Sequence, residues 1–371
     1  MVAKGSWWRG AMAARPALRH ARLHLSALCL PALCLPALTL TACASHPAPR
    51  SLPQAPARNA SIETAPDGSR TTTVSVLIYN VAGLPAPRGK NRGVAMDHIA
   101  DELAAMKRAG TAPDIVMLQE AFIAKAGKIG ARAGYANGVR GPLRTDRAMD
   151  LGLAPMVKDF KKDRRIVKGE RIGKLTSSGL YIFTDYGIES VTQTPFGRNS
   201  CAGFDCLANK GVMLARIAIP GVPEPLQLFN THLNARGAAK VPLERTNQAY
   251  ERQIVETGLF LKRAYDPALP FLYGGDFNTR HSDFRYGAKV ETMPGADVRH
   301  YCAVKPNSCE VIPSWDGDAP WMDTQDIQGF ASGARVKVTP VRIDALFDEP
   351  WKKGEPPSDH DGFLVTYRLQ W

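Results

Sequence analysis

Polar residues of a few chemically useful types stand where apolar runs of this chain end. Asn80 closes one run, and Glu120 follows Asp114-Ile-Val-Met-Leu-Gln119. His232 and Asn234 follow Phe229-Asn-Thr231, and Asp276 and Asn278 stand in Gly274-Gly-Asp-Phe-Asn278. Asp344 lies in Arg342-Ile-Asp-Ala345, and Ser358-Asp-His360 precedes the last apolar run. Carboxylates and amide oxygens are ligands for hard divalent cations, and histidines paired with carboxylates move protons. Taken singly, each has a plain structural explanation: an Asn or Asp at a strand end often satisfies a turn.

Rigid elements must bring such scattered residues together, and strand ends are where α/β enzymes assemble their sites. Val74–Val81 is apolar on both parities, as expected for a strand covered on both faces. Met96, Ile99, Leu103 and Met106 then mark a helix face. Further strands are expected at Asp114–Leu118, Gly179–Phe183, Val212–Ile219, Leu226–Phe229 and Phe271–Tyr273. Tyr250, Ile254 and Leu261 mark a second helix before the last of these. Ile343–Phe347 and Phe363–Leu369 close the chain as strands. This is one mixed α/β domain, residues 71–371, of about 300 residues.

Together and in this order, the polar set resembles the motif series of the endonuclease/exonuclease/phosphatase superfamily: an early N, QE, T-H-L, GD-x-N, a late D and SDH. The resemblance spans Val74 to Leu369. It implies a DNase I-like four-layer α/β sandwich, two packed mixed sheets flanked by helices, with a metal-dependent site at one end. By the same resemblance, Glu120 binds one Mg²⁺ (Mn²⁺ being a possible replacement), with Asn80 beside it and Asp359 in the metal shell. His360 is the general base, oriented by Asp344; Asp276 and Asn278 position the nucleophile and the phosphoryl oxygens, and His232 donates to the phosphate.

Local stretches narrow the resemblance to bacterial neutral sphingomyelinases. Gln119-Glu-Ala-Phe122, Ala208-Asn-Lys-Gly211, Arg245-Thr-Asn-Gln248 and Tyr79-Asn-Val-Ala-Gly-Leu-Pro85 are all similar to segments of that group. They imply hydrolysis of sphingomyelin or a related phospholipid, with Lys210 and Asn234 as substrate contacts. Lys210 could equally form a surface ion pair with Asp205. Two departures stand out. Ser314-Trp-Asp316 lacks the Asn expected soon after it, and no exposed aromatic hairpin is evident, Trp315 and Trp321 being the candidates. The alternatives are an exported nuclease of the same fold and an inactive lipoprotein that binds lipid or a cell-surface partner. No obligate protein partner is evident.

The N-terminus points to export. Lys4, Arg9, Arg15, Arg19 and Arg22 precede an apolar run broken by Pro31 and Pro36, which ends in Leu40-Thr-Ala-Cys43. That ending resembles a lipobox, implying a signal peptide over 1–42, lipidation of Cys43 and a bacterial membrane anchor; a plain signal peptide or a single membrane anchor is the competing reading. A Pro- and Ala-rich tether, 43–70, follows. Removing five basic residues with the signal leaves 42 basic against 35 acidic, a net charge of +7. Such a surface suits phosphate-bearing partners, whether a phospholipid membrane or nucleic acid. The cluster Lys158–Lys174 is either a solvated face or a loop meeting those partners. Cys201, Cys206, Cys302 and Cys309 remain in the domain. In an oxidising compartment they suggest two disulfides with three possible pairings, since neither spacing suits a zinc knuckle.

Overall fold

The computed structural model describes residues 50–51, 58–153, 158–304, 309–317, 322, 324–352 and 354–371. The signal segment, Cys43 and Trp321 lie outside the described residues, as do positions 43–49 and 52–57 of the tether. His46–Trp371 cluster as one unit. Its packed core draws only on residues between Ala60 and Trp371, so the unit carries its own core.

Two mixed sheets form the centre. The eight-stranded sheet runs β12 (Glu310–Val311), β14 (Lys337–Leu346), β15 (Gly362–Gln370), β3 (Arg70–Asn80), β4 (Ile115–Gln119), β6 (Tyr181–Thr184) and β5 (Asn137–Arg140), with β2 (Glu63–Thr64) paired to β3. The seven-stranded sheet runs β1 (Arg50–Ser51), β7 (Gly187–Pro195), β8 (Gly211–Ala218), β9 (Leu226–His232), β10 (Phe271–Asp276), β13 (Asp326–Ala331) and β11 (Ala296–Asp297). The pairs β3–β4, β9–β10 and β12–β14 are parallel; the other neighbours are antiparallel. The helices are α1 (Arg92–Ala109), α2 (Ile129–Ala133), α3 (Lys158–Lys162), α4 (Leu243–Ala264), α5 (Asp283–Thr292) and α6 (Val298–Val304).

Alternation along each strand builds the layers. Val76, Ile78 and Met117 of one sheet share a core with Met213, Leu228 and Leu272 of the other. On the opposite parity, Leu77, Tyr79, Val116 and Leu118 cluster with Met96, Ile99 and Leu103 of α1. Leu214, Phe229, Phe271 and Tyr273 likewise cluster with Tyr250, Ile254, Phe260 and Leu261 of α4. The result is the four-layer sandwich. α1 ends because Gly110 takes a left-handed φ of 75° and returns its N–H to Met106 and Lys107 carbonyls.

Strands β5, β7 and β13 were not expected, because their runs are broken by polar residues. In β13, Gln328 is buried and donates to the Val76 carbonyl (3.0 Å) and the Phe363 carbonyl (2.7 Å) of the facing sheet. A second clamp joins Gln119 Nε2 to Asn230 Oδ1 at 2.8 Å, and Asn230 Nδ2 to the Leu118 carbonyl at 3.2 Å. Between these clamps Gly274 lets the sheets approach: a Cβ there would meet Ile78 Cγ2 at 2.5 Å.

The cysteines pair locally, Cys201 with Cys206 and Cys302 with Cys309. The basic segment is tied down by a buried ion pair. Arg245 of α4 meets Glu170 through Nε (2.8 Å) and a terminal nitrogen (2.5 Å), and also donates to the Phe160 carbonyl (3.0 Å). Burial alone would raise the Glu170 carboxyl. Arg245 and the N–H groups of Gly203 and Arg165 outweigh that and hold it below the usual range.

Arg245→Ala leaves Glu170 buried without its cation and should destabilise the domain by about 3–5 kcal/mol at neutral pH. Because Glu170 titrates lower when folded, its contribution is complete above the unfolded value of about 4.3 and fades as pH falls through the folded one. Urea denaturation at pH 7 and in acid should therefore show the deficit shrinking in acid.

Candidate active site

Register places three ionisable side chains side by side. Asp276 ends β10 opposite His232 at the end of parallel β9, and opposite Asp326 at the start of antiparallel β13. In the facing sheet Asn80 ends β3 opposite Gln119 of β4, and Glu120 follows. His360 arrives on the loop before β15. That loop is held by Ser358 Oγ on the Asn80 carbonyl (2.7 Å) and by Arg92, which bonds the Val81 (2.6 Å), Ala82 (2.8 Å) and Pro357 (2.7 Å) carbonyls.

Glycines open the approach. Gly275 has φ 142°, and a Cβ there would lie 2.1 Å from the Thr231 carbonyl oxygen, which accounts for the Gly-Gly-Asp sequence. Glu120 and Asn278 themselves take left-handed φ of 51° and 52°, a costly conformation for such residues.

Asp276 is the hub. Its Oδ2 accepts from Asn80 Nδ2 (3.0 Å) and lies 3.3 Å from His232 Nε2 and 4.0 Å from His360 Nε2. Its Oδ1 accepts the Asn278 N–H at 2.9 Å. Burial first, then the neighbouring Asp326 carboxylate, raise the Asp276 pKa to about 7, with His360 and Lys210 opposing. His360 behaves in the opposite sense. Burial works against its charge, yet the Asp326 carboxylate, 2.5 Å from Nδ1 and backed by Asp276 and Asp359, holds the imidazolium well above the usual histidine range.

His232 is neutral. Burial, then the charges of Lys210 and His360, push its pKa well below the ordinary value. Lys210 Nζ lies 2.9 Å from His232 Nε2, so Nε2 is assigned as the acceptor and Nδ1 carries the proton. Nδ1 has no partner among the described residues.

Two sequence expectations, for Asp344 and Asn234, are corrected here, and those for Lys210 and Asn278 are refined. Asp344 does not orient His360: it lies within β14 opposite Leu364 and pairs with Arg342 at 3.0 Å, while Asp326 fills that position. Asn234 does not face a substrate. It is fully buried, accepting the Ala202 N–H (2.9 Å) and donating to the Ala235 carbonyl (2.9 Å). Lys210 does pair with Asp205, but at a buried position rather than on the surface. Its ammonium is spent on Asp205 (2.8 Å), His232 and the Leu233 carbonyl (3.0 Å). Asn278 points one amide hydrogen back to the Leu233 carbonyl (3.0 Å), so much of its polarity holds the loop. Sequence reasoning also missed Gln325, whose Nε2 lies 3.4 Å from His360 Nε2 and 3.5 Å from Asp276. The available signal was Thr324-Gln-Asp326, in which Thr324 Oγ1 accepts the Asp326 N–H at 2.9 Å as a turn opens the strand.

The donor set fits a divalent cation. Glu120 Oε1 lies 3.8 Å from His232, and burial raises its pKa, with the Asp205 and Asp359 charges adding to the rise. No hydrogen-bond donor reaches its carboxylate among the described residues, and a cation would offset the cost of burying that negative charge. Asn80 Oδ1 accepts the Ala82 N–H (3.0 Å) and keeps a second lone pair. Asp359 is exposed, and its charge acts on both Glu120 and His360. Asp276, Asp326 and His360 also offer three ligand atoms within 4.8 Å, but the Nδ1–Asp326 bond makes that trio a charge-paired imidazole.

The chain matches no protein-family model and no curated protein sequence. Solved structures match over most of its length. A double mutant of beta toxin from Staphylococcus aureus with bound magnesium ions is 15% identical, with a TM-score of 0.52, covering 79% of this chain and 99% of its own. Sphingomyelinase C from Streptomyces griseocarneus is 18% identical, with a TM-score of 0.51 and coverage of 79% and 99%. TDP2 from D. rerio, complexed with a single-strand DNA product, is 17% identical, with a TM-score of 0.51 and coverage of 80% and 98%. These likenesses establish the fold.

Asp326→Asn removes the carboxylate that favours the imidazolium, so the His360 pKa should fall. Asp344→Asn should leave it in place. Imidazole proton resonances followed by NMR titration of the metal-free domain distinguish the two positions.

Proposed function

We propose that this chain, which has the DNase I-like fold of endonuclease/exonuclease/phosphatase proteins, is a divalent-metal-dependent phosphodiesterase acting on sphingomyelin or a closely related phospholipid. The observation that carries the chemistry is the Asp326–His360 pair, whose Nε2 stands 4.0 Å from Asp276 and 3.4 Å from the Asn80 and Gln325 amides. Held at Glu120 and Asn80, Mg²⁺ (or Mn²⁺) would neutralise phosphate charge and stabilise the departing oxygen.

The chain's own residues do the rest. With Nδ1 committed to Asp326, neutral His360 takes a proton from water at Nε2, and Asp276, fixed by Asn80 and Asn278, orients that water. The water oxygen bonds to phosphorus as the bond to the lipid oxygen breaks, and the departing oxygen takes up a proton from solvent. The products are a lipid alcohol, ceramide for sphingomyelin, and a phosphorylated head group, and no covalent intermediate with the protein forms. Lys210, behind His232, supplies positive potential on the phosphate side.

Support for a lipid substrate comes from the Gln119–Phe122 and Ala208–Gly211 segments and from the fold shared with sphingomyelinase C. The fold shared with a DNA-bound protein and the net positive charge favour the second reading, a nuclease. Under the first reading, Cys43 would carry lipid and keep the domain at a membrane outside the cytoplasm.

Purified His46–Trp371 should release phosphocholine from sphingomyelin with Mg²⁺, lose the activity to a chelator and regain it on Mg²⁺ addition. His360→Ala and Glu120→Ala should each lower the rate by roughly 10²–10⁴-fold. Since His360 must be neutral to act, the rate should rise with pH through its pKa, and Asp326→Asn should move that limb to lower pH while reducing kcat. DNA cleavage lost in both alanine variants, without lipid turnover, would keep the site and sink the lipid substrate.

A further inference from the structure

Four of the twelve exposed large apolar side chains among the described residues fall within ten positions: Ile166 (55% exposed), Val167 (86%), Ile172 (57%) and Leu175 (60%). Single exposed aliphatics are ordinary, but a cluster on one loop is not. The stretch Lys161–Leu175 also holds seven cations against two acids, and one of those acids, Glu170, is committed to Arg245. Behind the loop opens a cavity of roughly 930 Å³ lined by Arg144, Arg147, Lys161, Arg164, Arg171 and Arg198 among others. Of these six, only Arg164 has a side-chain partner among the described residues, the uncharged Asn199.

The loop stands beside the reaction centre. The N–H groups of Leu175 (2.6 Å) and Thr176 (3.1 Å) both donate to the Leu207 carbonyl, and Lys174 Nζ to that of Ala208 (2.9 Å). Two residues further on, Lys210 holds His232.

We propose that Lys161–Leu175 is a docking loop for an anionic phospholipid surface, its aliphatic side chains entering the interface while its cations and the cavity behind them take lipid phosphates. Aliphatic groups flanked by Lys and Arg are the composition that seats a segment at a charged bilayer surface. A nucleic acid strand would use the cations and stack on aromatics, leaving four exposed aliphatics without purpose. The proposal rests on the lipid reading of the substrate. It also supplies interfacial attachment by aliphatic and basic residues.

The test separates binding from turnover by using His46–Trp371 carrying His360→Ala. Co-sedimentation is measured with vesicles of phosphatidylcholine alone and of phosphatidylcholine mixed with phosphatidylglycerol. Lys162→Glu with Arg171→Glu should weaken binding to the anionic vesicles at least tenfold, about fivefold per charge removed, and barely alter the rest. Val167→Asp with Ile172→Asp should weaken binding to the anionic vesicles by a similar factor. All four positions are exposed, and an unchanged melting temperature checks the fold. The proposal falls if the parent ignores anionic vesicles or if the aspartate pair binds them as the parent does. It falls equally if charge reversal weakens binding to single-stranded DNA while the aspartate pair changes nothing on vesicles. Turnover of detergent-dispersed lipid by the His360-bearing forms is read separately, so loss of docking and loss of the phosphodiesterase reading are told apart.

Discussion

Everything at the site follows from three strands that end level. Because β9, β10 and β13 are hydrogen-bonded in register, His232, Asp276 and Asp326 have no choice but to be neighbours. All three are almost fully buried, and burying ionisable groups is unfavourable unless they are paired or change protonation. Both outcomes are present. Asp276 rises to about 7 and His232 falls well below its usual range, while Asp326 is paired with His360. Burial favours the neutral form of one imidazole while the Asp326 carboxylate, against burial, favours the charged form of the other, on either side of one carboxylate.

The other half of the site rides on the facing sheet, so its geometry depends on how the sheets are held together. Apolar packing alone tolerates sliding. The amide clamps Gln119–Asn230 and Gln328 to the Val76 and Phe363 carbonyls do not, because a slip would strand buried donors and acceptors. Gly274 sets the spacing at the same level. These features explain why the strands carrying the site are also the ones with polar interiors.

That is also the physical limit on reading this chain from its sequence. β3, β8 and the α1 and α4 faces were legible because their apolar residues follow the strand or helix period. β13 was not, because its Gln328 serves the clamp and its Gly329 makes room for the Tyr273 ring, so no apolar run announces it. Losing β13 meant losing Asp326, and Asp344 took its place because it too lies on a late strand. The GGD-x-N and SDH residues were legible since their backbone demands leave glycines and short polar turns behind. Asn234 and Lys210 misled for a different reason: a polar side chain near a site looks the same in sequence whether it faces a ligand or braces a loop.

The brace around Lys210 carries one more implication. Asp205, which bonds Lys210 Nζ and the Ala235 N–H, sits inside the five-residue span closed by Cys201 and Cys206. A bond closing so short a span takes less freedom from the unfolded chain than one closing a long loop. Its leverage is local, on the turn that aims Lys210 at His232. The bond confines the backbone that carries Asp205, and through Asp205 it bears on both the Lys210 ammonium and the Ala235 N–H.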